Sequence, residues 1–369
     1  MPDTKRTQRP TPARPILAGF AEKRRNKKGR MVIRPRWGRI SLVAVALAMV
    51  GYLGAVGLLL YHYKERRNYE EASYVRLLAW PFRREAHRAE MGDYFIREAK
   101  KLIEEQEFQK AFQFLRAGVS GSPGNIEGRM MLSEFLWFSN LRDLAVQVLR
   151  DGLDHIEPDK AYLQRLYQFQ LTNLDDVGLL EVTEEVLAGL DDPQGELAQI
   201  TAYAAAQGHF YRGNYDAAEA MLVDHGLLQD IEGVVLRARI AWQRGLQDTA
   251  IDILQEGLGR FENDERIYMT ISRFYREKGD IERARRYAVL RYTANPFSPS
   301  PRVALMFTFK DAGNTERLES EIESFIAQFS EDAQAMQQLA NFAAEAGMPD
   351  LAERVYQIAV AQDFDISPY

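Results

Sequence analysis

Residues 268–296 read YMTISRFYREKGDIERARRYAVLRYTANP. Tyr268, Ile271, Ser272 and Tyr275 recur at helical spacing, Gly279 interrupts the run, and Ala284 and Ala288 resume it until Pro296. Three- and four-residue apolar intervals specify an amphipathic helix, glycine supplies a turn residue and proline ends a helix, so the stretch predicts two helices folded back on each other. The same grammar extends in both directions. Aligned on the second helix, Ala111, Ala145, Leu179, Ala218, Ala250, Ala284, Leu318 and Ala352 are separated by 34, 34, 39, 32, 34, 34 and 34 residues. Five residues before the last five anchors stand Gly213, Gly245, Gly279, Gly313 and Gly347, a column independent of the alanines. Pro123 and Pro296 fall twelve residues after their anchors, and Pro158 one residue later. A period of this length is the mark of a stacked array in which each unit buries its apolar face on its neighbours.

The pattern resembles the tetratricopeptide repeat (TPR) family. The first unit contributes Phe95, Ala99, Leu102, Phe108, Ala111, Leu115 and Pro123, and the last contributes Met336, Leu339, Ala340, Gly347, Ala352, Tyr356 and Ala359. The resemblance covers residues 92–364 and implies an all-α, right-handed superhelical solenoid of about eight helix pairs. It is weakest near 160–193, where Tyr167 replaces a small residue and Leu179 the alanine; the 39-residue step that follows places an inserted turn at 191–195, a candidate bend between two sub-arrays. The family binds peptides in the concave groove lined by its first helices. Its groove positions fall here on Trp137, Phe138, Tyr203, Phe210, Tyr211, Arg239, Trp242, Arg273, Arg276 and Phe307. The resemblance thus implies aromatic platforms and an arginine cluster able to take a carboxylate of a protein or peptide partner. The Lys/Asn clamp of the chaperone-binding branch is not found. Nearby Glu277, Glu232 and Asp280 are the competing partners for these arginines.

Ahead of the array, residues 40–63 read ISLVAVALAMVGYLGAVGLLLYHY, without a formal charge and flanked by Arg39 and Lys64. At 1.5 Å per residue this run is about 36 Å long, enough for a transmembrane helix and too long for a cleaved signal peptide. Ala44, Ala48, Gly51 and Ala55 form a stripe on which a second membrane helix could pack. Lys/Arg counts near the ends set orientation. Lys23, Arg24, Arg25, Lys27, Lys28, Arg30, Arg34, Arg36 and Arg39 precede the helix, against Lys64, Arg66, Arg67, Arg76 and Arg83 after it. The expectation is a single-pass protein of a bacterial inner membrane, with a cytoplasmic N-terminus and periplasmic repeats. Residues 1–39, proline-punctuated, read as a disordered basic tail, and residues 64–91 as a helical collar that continues the span to Pro81.

The chain of 369 residues has a net charge of −6, the remainder of three unlike segments. Residues 1–39 hold thirteen Lys/Arg against two acidic residues, 40–91 seven against five, and 92–369 twenty-seven against forty-six. A tail so basic suits anionic lipid, whereas the acidic body repels nucleic acid. With no cysteine there is no disulfide or thiol chemistry. The five histidines stand apart, His209 reading as a satisfied structural residue, and no phosphate loop, nucleophile elbow or dinucleotide fingerprint is present. No enzyme activity, cofactor or metal is therefore expected.

The sequence predicts a membrane-anchored scaffold that binds protein partners through a groove. A cytoplasm-facing accessory subunit of a membrane synthase, secretion or polysaccharide-export machine is one alternative, and a membrane-tethered nucleic-acid binder acting through the tail another. Residues 365–369 form a short tail, and Val355, Ile358, Phe364 and Ile366 suggest an under-covered last repeat, available to a homo-oligomer.

Overall fold

The computed structural model describes residues 14–25, 31–67, 69–262 and 264–366, in two compact units, Met1–Glu157 and Pro158–Tyr369. Calls on residues 1–13, 26–30 and 367–369 lie outside the described residues.

The first unit begins with an antiparallel meander of β1 (Arg14–Ile16), β2 (Ala21–Arg25) and β3 (Met31–Pro35), with Glu22 opposite Arg34 and Lys23 opposite Ile33. This corrects the expectation of a structureless tail for these residues. Pro15 and Pro35 forbid a long helix but are tolerated on the two edge strands, where no ladder N–H is required of them. Arg36 pairs with Glu22 and ties the sheet to the next helix.

That helix, α1 (Trp37–Tyr61), continues as a π turn through Arg66 and is long and apolar enough to cross a membrane. Ala44, Ala48, Gly51 and Ala55 lie exposed on it. The collar differs from expectation. Rather than running on to Pro81, the chain turns back after Arg67 into a five-residue helix, α2 (Tyr74–Leu78), and a 3₁₀ turn, Trp80–Phe82. The first helix of the array, α3 (Arg84–Glu104), then starts eight residues before Gly92. It packs on α4 (Phe108–Gly121), and a Cβ at Gly92 would lie 2.7 Å from the Gly118 carbonyl oxygen, so only glycine permits this approach. The unit closes with α5 (Ile126–Phe138) and α6 (Arg142–Arg150).

The second unit contains six further helix pairs: α7 (Lys160–Thr172) and α8 (Asp176–Gly189), α9 (Glu196–Tyr211) and α10 (Tyr215–Asp224), α11 (Ile231–Gln243) and α12 (Gln247–Arg260), α13 (Glu265–Glu277) and α14 (Ile281–Ala294), α15 (Pro299–Asp311) and α16 (Thr315–Phe329), α17 (Ala333–Glu345) and α18 (Pro349–Ala361). Consecutive pairs pack together within the unit, as a solenoid requires. The inserted turn at 191–195 is not the division between units, which falls at Glu157/Pro158. Instead the insert is clamped: the Gln194 side-chain amide donates to the Asp224 carbonyl at 2.8 Å, and His225 Nδ1 lies 3.0 Å from the Pro193 carbonyl oxygen.

The alanine column is the packing column. Ala111, Ala145, Leu179, Ala218, Ala250 and Ala284 are fully buried and Leu318 nearly so, with Ala352 half-buried. The glycine column is a backbone device. Gly213, Gly245, Gly279, Gly313 and Gly347 all have positive φ, and Gln106, Asn140 and Leu174 adopt the same conformation at the equivalent positions of the first three pairs. In all eight pairs the next N–H donates to the carbonyl five residues back at 2.8–3.0 Å, for example Asp280 to Tyr275. This six-to-one bond is the Schellman closure, which satisfies a last-turn carbonyl and reverses the chain.

The last repeat is better covered than expected. Val355 is fully buried, while Ile358 and Phe364 pack on the core around Met336, Leu339 and Phe342. Asp363 takes a left-handed conformation and the Phe364 N–H donates to the Ala359 carbonyl at 3.0 Å, so the chain folds back over its own core. Ile366, half-exposed, is the only one of the four that remains open among the described residues.

Candidate functional site

The first helices of three successive pairs, α7, α9 and the start of α11, enclose a groove of about 900 Å³. Its floor on α9 is a ladder at four-residue spacing: Gln199, Tyr203, Gln207 and Tyr211. Gln164 and Gln168 face it from α7. Residues four apart share a helix face, so this stripe is presented as one surface while Ala198, Ala202 and Ala206 are buried behind it. Side-chain amides both donate and accept, and thus match the peptide backbone of an extended segment. Burial, reinforced by Glu232 and opposed by Arg239, pushes the Tyr203 phenol up to about 12, so it stays a neutral donor. Tyr167 is likewise raised to about 12 by burial; its hydroxyl shares a 3.0 Å hydrogen bond with Thr201, and this larger residue fills the site of the family's small one.

Beside the groove lies a cationic pair. The Arg239 guanidinium sits 4.5 Å from the Phe210 ring centre and 6.0 Å from that of Tyr211. Arg273, one repeat on, has its pKa lowered by burial and then by Arg239, partly offset by Glu277, whose carboxylate is 3.7 Å away. Two guanidiniums on successive first helices, the first raising the second's cost of charging, suit an anion, with Glu277 already paired to Arg273. Arg276 is different: its Nε donates to the Asp311 carboxylate at 2.6 Å and its guanidinium covers Phe307 at 4.3 Å. Of the expected competitors, Glu232 pairs with Arg266, and Asp280 caps α14 by accepting from the Arg283 N–H.

Two expected groove aromatics are buried in the interior and a third, partly buried, packs against it. Phe210 is buried in the core with Ala206 and Leu236, Trp242 stacks on Phe274 at 4.1 Å and 6°, and Phe307 packs edge-on to Phe342 at 4.7 Å. In the other unit, Trp137 lies under the Arg142 guanidinium and Phe138 is 87% exposed beside the Asn140 turn. His209 is not satisfied as expected: its buried Nδ1 has no hydrogen bond among the described residues, and burial and Arg212 lower its pKa. The glutamines were missed. Their four-residue spacing with Tyr203 and Tyr211 was the available signal.

The geometry invites comparison with solved folds. A tetratricopeptide repeat protein from Parabacteroides merdae aligns over 72% of this chain and 98% of its own at 12% identity, with a TM-score of 0.51. The chain has the TPR-like fold. A thermophilic TPR protein of Thermus thermophilus aligns over 45% of this chain and 91% of its own at 21% identity, with a TM-score of 0.35. No family model and no curated protein matches the sequence. In the TPR-like array, the ladder on α9 and the Arg239–Arg273 pair stand on first helices, where side chains of successive repeats align into one continuous face.

Proposed function

We propose that the chain is a membrane-anchored scaffold that holds an extended, acidic segment of a protein partner along its first helices. The glutamine and tyrosine ladder takes the partner's backbone, and Arg239 with Arg273 takes a carboxylate. The observation that carries this reading is the cationic pair beside the polar groove, standing in a body with forty-six acidic residues against twenty-seven basic. An acidic surface repels most acidic peptides, so a local cationic seat confers selectivity as well as attraction. The anchor contributes by concentrating the array at the membrane. The reading retains a cytoplasmic N-terminus and repeats on the far side of a bacterial inner membrane, on the strength of the Lys/Arg asymmetry.

An immobilised peptide array with and without acidic residues tests it. The full chain should retain acidic peptides, and Arg239→Ala/Arg273→Ala should weaken them by at least about 100-fold, since each of two charged hydrogen bonds contributes about 1.5–3 kcal/mol. Equal retention by the double variant would refute the seat.

A further inference from the structure

Helix α1 changes character along its length. Every residue from 41 to 55 is exposed, whereas beyond it one face is covered: Val56 is buried and Gly57, Leu59, Leu60 and Tyr63 are partly covered, while Leu58 and Tyr61 stay 72% and 65% exposed. Leu60 and Tyr63 pack on Tyr69, Tyr94 and Phe95, which ties this end of the helix to the first array helix. The stretch from Trp37 to Ala55 is about 28 Å long at 1.5 Å per residue, with Arg39 near its outer end, where a long side chain can reach the headgroups. That matches a hydrocarbon core of about 30 Å without help from the remaining apolar residues.

Just before the helix becomes covered on one face, α2 folds back onto α1. The Tyr52 hydroxyl donates to the Leu78 carbonyl at 2.5 Å and the Tyr74 hydroxyl to the Leu53 carbonyl at 2.8 Å. Leu78 is the last residue of α2, where a carbonyl lacks an intrahelical partner, and a backbone oxygen near lipid must be satisfied from within the protein. From this segment Val75 and Phe82 stand 74% and 91% exposed. The Arg84 guanidinium lies 4.5 Å from the Trp80 ring, and Arg76 and Arg83 lean on Glu90 at 3.6 and 3.8 Å. Such exposed apolar side chains are disfavoured in water, and three arginines are disfavoured in hydrocarbon; aromatic residues interleaved with arginines are suited to the headgroup layer.

We infer that residues 74–84 form an interfacial element seated in the lipid headgroup layer, which fixes the membrane boundary at Tyr52–Val56. Residues 56–66 then act as a rigid stalk outside the bilayer. The inference rests on the membrane reading of α1 but is separable from it. The occupant is the bilayer itself, because the segment is continuous with the exposed apolar surface of α1.

The absence of cysteine allows a clean test in the full chain. Leu47→Cys, Phe82→Cys and Phe138→Cys replace exposed side chains and are each labelled with the environment-sensitive fluorophore NBD in phosphatidylethanolamine/phosphatidylglycerol vesicles. The expected result is blue-shifted emission at 47 and 82, with 47 quenched most by a deep lipid-attached nitroxide, 82 most by a shallow one, and 138 by aqueous iodide. If 82 behaves like 138 while 47 remains in lipid, the interfacial element is refuted and the membrane reading stands. If 82 is quenched as deeply as 47, the boundary is misplaced and the inference fails. Iodide quenching at 47 as well would overturn both.

Discussion

The turn residue between paired helices displays the relation between sequence and backbone most directly. All eight positions are left-handed, yet the glycine column shows only five of them. Gln106, Asn140 and Leu174 were illegible because their side chains point into water, Leu174 being 85% exposed, so the conformation costs torsional strain without a clash. A non-glycine residue pays about 1–2 kcal/mol for this conformation, and glycine loses about 0.5–1 kcal/mol in chain entropy. Leu174→Gly should therefore stabilise the array by about 0.5–1 kcal/mol, read as a higher urea midpoint. Gly279→Ala should destabilise it by about 1 kcal/mol, from backbone strain alone, because an added Cβ meets nothing within 4 Å. Equal midpoints for the two variants would contradict this account.

Among helices, the sequence discloses the pairs better than the phase of each face. Trp242 and Phe210 were assigned to the groove by counting along a repeat, but one residue of offset turns a side chain by about 100° around its helix. Both stand eight residues before their own anchors, Ala218 and Ala250, and both rings turn inward. Charges are more regular than they look within one repeat, since partners lie about one period apart: Arg266 with Glu232, Arg276 with Asp311, Arg212 with Asp176, Lys160 with Glu196. Most of these pairs are too exposed to contribute much. Two buried arginines differ, Arg291, which pairs with Glu265, and Arg302. Arg302 donates to Gln328 and Ser324 at 2.7 and 2.9 Å, pairs with Glu321 at 2.5 Å and covers Phe325. Arg302→Ala leaves that carboxylate unpartnered and a void beside the ring and should cost about 3 kcal/mol, whereas Arg302→Met, which keeps the apolar stem, should cost less. Thermal unfolding of both variants checks the order. The collar offers a pH test. His87 is buried against Tyr63 and Tyr69, neither ring nitrogen has a hydrogen bond among the described residues, and burial holds its pKa below 6.5, with Glu90 opposing and Arg76 assisting. A depressed folded pKa means that its contribution is complete above 6.5 and is lost as pH falls below it. Stability of the first unit should decline from pH 6.5 downward, and His87→Phe should flatten that decline in denaturant melts across the range.

Across the whole chain, charge and apolarity divide the labour in a way the average of −6 conceals. The repeat period and the long apolar helix were legible because each is a long pattern, whereas the α2 fold-back was not, because it rests on two hydroxyl-to-carbonyl bonds that leave no periodic trace. Orientation has the same collective character, since no single arginine sets it. Within about twenty residues of its ends nine Lys/Arg precede the span and five follow it, so changing Lys27, Lys28, Arg30, Arg34, Arg36 and Arg39 to glutamine leaves three against five there. A dual reporter fused after Tyr369 should register only periplasmic activity in the parent chain and shift toward cytoplasmic activity in the six-fold variant. Returning the six cations as a different Lys/Arg-rich stretch should restore the periplasmic signal if the tail acts as a topology determinant. Restoration only by the original sequence would assign those residues a binding role of their own, because a count of charges is indifferent to their order and a binding site is not.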